Sequence, residues 1–60
     1  MDETKMLLIG SVKDRRRLAV AMLDGFAANA FDQPADPEDV AFFEAELAEC
    51  DAQLAELLNE

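Results

Sequence analysis

Sixty residues, 52% of them hydrophobic and 32% charged, make one small folded domain; regularly spaced Leu, Val, Ile, Met and Phe exclude the disordered acidic class. The formal charge of −9 is laid down unevenly: residues 1–17 hold all five bases (Lys5, Lys13, Arg15, Arg16, Arg17) against three acids, and residues 18–60 hold eleven carboxylates and no base. Such a balance repels phosphate and favours a cationic partner, so direct nucleic-acid binding is not expected.

Composition also removes most catalytic chemistry. There is no His, Trp or Tyr, the only hydroxyls are Thr4 and Ser11, and no base stands at a recognisable spacing from Cys50. The chain therefore reads as a non-enzyme with no cofactor. A single cysteine cannot form an internal disulfide, and without histidine the usual nitrogen and sulfur set for zinc is missing, so Cys50 is expected to be a buried small apolar residue. The longest wholly apolar run, Leu18 to Leu23, is far below the roughly twenty residues that span a bilayer. Lys5 and the apolar stretch Met6 to Ile9 are too short for a signal peptide, and the chain reads as a complete cytoplasmic protein.

The first predicted element is a helix over residues 3–30. Ile9, Val12, Ala19, Leu23, Phe26 and Ala30 recur at alternating intervals of three and four, with Arg16 as the one misfit. Gly10 costs such a helix about 1 kcal/mol relative to alanine, and Ser11 with Asp14 three residues on offers a capping box that would restart it. A break at Gly10 is one reading; the unbroken phase from Ile9 to Val12 favours one long, bent helix. Gly25 is a second weak point. Pro34 and Pro37, set among Asp32, Gln33, Ala35 and Asp36, then impose a loop over 31–36.

The second predicted helix covers 37–59. Asp36 supplies an N-cap, Pro37 the first helical position, and Glu38 and Asp39 meet the positive end of the helix dipole. Val40, Phe43, Leu47, Cys50, Leu54 and Leu57 form an uninterrupted heptad seam, with Ala41, Ala45, Ala48, Ala52 and Ala55 as a stripe of small residues beside it. The whole is an all-α antiparallel helical hairpin in a single domain, residues 1–60. A hairpin with so apolar a face recruits more helix, either by homodimerisation into a four-helix bundle or by docking on a larger protein. Folding about Pro34 sets Arg15, Arg16 and Arg17 beside the segment Glu49 to Glu56, so charge pairing inside the hairpin accounts for them better than a nucleic-acid patch does.

Asp32, Asp36, Glu38 and Asp39 have neither the spacing nor the glycine of an EF-hand, and capping and turn formation account for them. By helical geometry Glu38, Glu49, Glu56 and Glu60 lie opposite the seam of the second helix, flanked by Glu46 and Asp39, with Phe42 exposed in their midst. At 1.5 Å per residue that helix is about 36 Å long, and its eight carboxylates fall about every 4.5 Å of axis, against 3.4 Å for one DNA strand. An aromatic ringed by acids is a hot-spot candidate, so the expected partner-binding residues are Glu38, Phe42, Glu46, Glu49 and Glu56; the competing readings are an acidic face that only keeps the helix in solution and a Phe42 that packs beneath the N-terminal segment or at a dimer contact.

In its small size, its strongly acidic helical arm and its lack of catalytic groups, the chain resembles the small phage-encoded inhibitors that occupy nucleic-acid sites on host defence complexes, anti-CRISPR proteins among them. The resemblance covers the charged helix and rests on composition; no motif defines that class, so no residue is carried over by alignment. It implies a nucleic-acid mimic that fills the lysine- and arginine-lined DNA or PAM-recognition channel of a CRISPR effector. The reading from another class is a structural or regulatory hairpin that dimerises or binds a partner helix through its apolar seam.

Overall fold

The computed structural model describes residues 2–59, which fold into two α-helices, α1 (Glu3–Ala27) and α2 (Pro37–Leu58), and no strand. They run antiparallel as a rod of 43 × 15 × 13 Å. Both N-termini are capped by aspartate. The Asp2 carboxylate accepts from the backbone N–H of Lys5, and that of Asp36 accepts from Glu38, with Pro37 in the first turn where no N–H is needed. Helix α1 is continuous through Gly10, so no capping box forms at Ser11. Neither helix is long and apolar enough to cross a membrane.

Helix α1 stops three residues earlier than its periodicity suggests. Asn29 adopts a left-handed conformation with φ 54°, the Ala30 N–H reaches back to the Gly25 carbonyl (2.9 Å), and the Asn29 N–H bonds to Phe26 (3.3 Å). This pair of bonds is a Schellman cap, with asparagine at the position where glycine is commonest. Ala30 thus lies outside the helix and off the seam. Just beyond it the chain turns back so that the Phe31 ring lies on Gly25, where an added Cβ would come within 2.6 Å of a ring carbon. Gly25 is therefore the seat of an aromatic ring.

The contact between the helices follows the two seams. Ile9, Val12, Ala19 and Cys50 are buried, and Leu23, Phe26, Val40, Phe43, Leu47, Leu54 and Leu57 are half-buried around them. Phe26 lies beside Phe43 near the loop, and Arg16 reaches Asp51 further down, a register that sets Ala19 and Cys50 at the same mid-height. Both side chains are small, and both are almost wholly shielded, at 1% and 0% exposure. Small residues at the crossing let the two backbones approach closely, which shuts out water with little side-chain volume. The five alanines from Ala41 to Ala55 lie elsewhere: all are exposed, on the side of α2 turned away from α1.

Two sets of substitutions check this packing. Gly10→Ala meets no atom within 4 Å and should raise stability by about 1 kcal/mol in urea unfolding, whereas Gly25→Ala gains the same helix propensity but expels the Phe31 ring, leaving it the less stable of the two. Ala19→Leu should cost about 1–3 kcal/mol by overpacking the crossing, read as a lower midpoint at unchanged helicity.

Candidate functional site

Among the described residues, Arg15 and Arg16 make polar contacts from α1 to α2. Arg15 Nη2 lies 3.0 Å from Glu46 Oε1 and 3.7 Å from Glu49 Oε1, and Arg15 Nη1 donates to Gln53 Oε1 at 3.4 Å. Arg16 Nε donates to Asp51 Oδ1 at 2.6 Å. Consecutive residues leave a helix about 100° apart, so the two guanidinium groups straddle the line of contact. Arg17 turns away and pairs with Asp14 one turn back on its own helix, at 3.0 Å. The hydrogen bond and charge of Glu46, with a smaller push from Glu49, hold the Arg15 guanidinium above its ordinary pKa. On the arginine side, this contribution is therefore lost only as pH rises through the raised value.

This network divides the five residues expected to bind a partner. Glu46 is half-buried and tied to Arg15, so it belongs to the joint between the helices. Glu49 is exposed, yet it faces Arg15 and also accepts from Gln53 Nε2 at 3.3 Å. Glu38, Phe42 and Glu56 remain open to solvent. Glu60, the last member of the acidic stripe, lies outside the described residues. With Glu46, Glu49 and Asp51 engaged by arginines, the carboxylates of α2 do not form a continuous unpaired line, and a strand-like charge density is not reached.

What the spacing did not disclose is an aromatic ladder. All four phenylalanines of the chain join in sequence, Phe31 to Phe26 (centroids 5.3 Å apart), Phe26 to Phe43 (6.1 Å) and Phe43 to Phe42 (5.1 Å, edge to face). The inner two rings are half-buried and the outer two, Phe31 and Phe42, are exposed, Phe42 at 58%. Phe42 is thus an exposed ring backed by Phe43 on the acidic end of the rod. Residues 18–44, which build that end, contribute Asp24, Asp32, Asp36, Glu38, Asp39 and Glu44 and no base. The available sequence signals were Asn29 as a helix stop, which frees Phe31 to fold back, and Gly25 as its seat.

Opposite the Arg15 flank, Lys13, Arg16, Arg17, Val20, Asp24 and Leu54 line an open groove of about 570 Å³. Its two arginines are paired with Asp51 and Asp14, and Lys13 and Asp24 stand beside them as a further base and acid. No polar or charged side chain is buried among the described residues, and no three acidic or thiol groups converge there as metal ligands. No family model matches the chain, and neither a curated protein nor a solved structure is significantly similar to it.

The arginines are expected to act as a joint. Arg15→Gln and Arg16→Gln should each lower the urea midpoint slightly, with the deficits disappearing in high salt, and Arg17→Gln should leave it unchanged. None of the three should create or abolish binding to a fluorescent DNA duplex; a change in that titration would reassign the cluster to nucleic acid.

Proposed function

We propose that this chain is a non-enzymatic acidic binding protein that inhibits a nucleic-acid-binding partner by occupying its basic surface, in the manner of the anti-CRISPR inhibitors whose composition it resembles. The observation that carries the reading is the split in charge along the rod. Both interhelical arginines are consumed at mid-height, so the loop-proximal half keeps uncompensated carboxylates around an exposed Phe42 that rests edge-on against Phe43. Long-range attraction then falls to Glu38, Asp39 and Glu44 together with Glu56. Short-range affinity falls to the phenylalanine, whose burial against an apolar pocket among the partner's cations supplies the desolvated centre. Glu46 and Glu49 hold the face in place through Arg15.

Support for the nucleic-acid aspect is electrostatic. A surface that repels phosphate and attracts cations competes with DNA for the same site, and the competition weakens as ionic strength rises. A CRISPR effector complex, with its lysine- and arginine-lined target channel, is the partner of this chemistry to try first.

The test is target-DNA binding by purified CRISPR effector complexes in the presence of this protein. Wild-type protein should abolish DNA binding at low salt, the double variant Glu38→Lys, Glu56→Lys should slow association at least tenfold, and Phe42→Ala should mainly speed dissociation. The reading fails if the effectors bind DNA equally well with and without the protein, or if a variant combining Glu38→Lys, Phe42→Ala and Glu56→Lys inhibits as well as the wild type.

A further inference from the structure

The two phenylalanines of α2 differ in exposure: Phe43 is half-buried, and Phe42 is open at 58%. The charges on either side of Phe42 differ as well. One turn toward the C-terminus stands Glu46, whose carboxylate is held by Arg15. One turn toward the N-terminus stand Glu38 and Asp39, both exposed, and among the described residues no base pairs with either. Long side chains of a helix lean toward its N-terminus, so the Phe42 side chain is directed to the turn that carries these two carboxylates and away from the neutralised one. The partial positive charge at the start of α2 is met by Asp36, which accepts the Glu38 N–H and leaves the charges of Glu38 and Asp39 to solvent.

The ring itself has a face to offer. Phe42 meets Phe43 with centroids 5.1 Å apart and planes at 86°. In an edge-to-face pair each ring keeps at least one face that the other does not touch, and that face carries the negative part of the ring quadrupole. An electron-rich face beside two unpaired carboxylates is suited to a cation that is flat.

Taking this face as the one that meets a basic partner, as proposed above, we infer that it is selective for arginine over lysine. A partner guanidinium lies flat on the Phe42 ring, forms one wall of the pocket that receives it, and turns its N–H edge to Glu38 or Asp39. A guanidinium is planar and weakly hydrated, so it stacks at small desolvation cost while its edge donates two parallel bonds to one carboxylate. An ammonium is compact and strongly hydrated, and it has no flat face with which to do both. Charge brings either cation to this end of the rod, where residues 18–44 hold six carboxylates and no base. The ring then decides between them.

The test needs no effector complex. Nona-arginine and nona-lysine, titrated against the protein by fluorescence anisotropy at one ionic strength, compare equal charges on equal chain lengths. The arginine peptide should bind the more tightly. Phe42→Leu keeps an apolar side chain and both acids but removes the π face; it should cut the preference at least about threefold by weakening the arginine peptide and not the lysine peptide, with helicity unchanged. Glu38→Gln combined with Asp39→Asn should weaken both peptides, the arginine peptide more. Equal affinities, failure of both peptides to bind, or an arginine preference that Phe42→Leu leaves intact would overturn the inference. Effectors that escape inhibition while the preference stands would sink the proposed function and leave this selectivity in place; inhibition without the preference would do the reverse.

Discussion

Everything else in the hairpin depends on one joint, the pair of adjacent arginines that leave α1 on either side of its contact with α2. Four buried side chains fix the helices side by side but scarcely fix their height, because a heptad seam offers nearly the same apolar face after every seven residues. Sliding by a heptad would keep an apolar seam opposite an apolar seam, although it would part the small pair Ala19 and Cys50. It would not keep Arg15 opposite Glu46 and Gln53, nor Arg16 opposite Asp51. Ion pairs this exposed add little stability, yet each alternative register strands charges without partners, and that penalty selects one arrangement.

The joint also explains which parts of the molecule could be read from the chain. Helix α2 was legible from its start, because Asp36, Pro37, Glu38 and Asp39 act on the backbone at once and locally. The seams were legible for the same reason, Cys50 included: periodicity belongs to the helix itself. The end of α1 was hidden in plain view, since Ala30 kept the phase of the seam while Asn29 supplied a left-handed stop. Glu46 was placed among the outward acids because a helical wheel assigns a residue by its Cα. A guanidinium on a long stem reaches past that assignment and pulls the carboxylate into the joint. Likewise, Gly25 reads as a weak point until Phe31, six residues on, folds back onto it.

A division of labour among the acids follows. A chain of −9 that folds on two interhelical arginines needs part of its own negative charge to satisfy them, and Glu46, Glu49 and Asp51 serve that purpose. What remains for any partner is concentrated away from the joint, toward the loop. There the phenylalanines gather because α1 ends early, so the backbone stop at Asn29 and the character of the acidic end have a single origin.

The complete shielding of Cys50 turns the only thiol of the chain into a gauge. Because its sulfur is enclosed between the helices, a thiol reagent can react only in the moments when the hairpin parts. Its modification rate, divided by that of an unfolded control, is therefore the equilibrium constant for opening under native conditions, without denaturant and with no substitution in the chain. Whatever grips the rod from outside and holds α1 to α2 would be registered as slower labelling at a site it never touches.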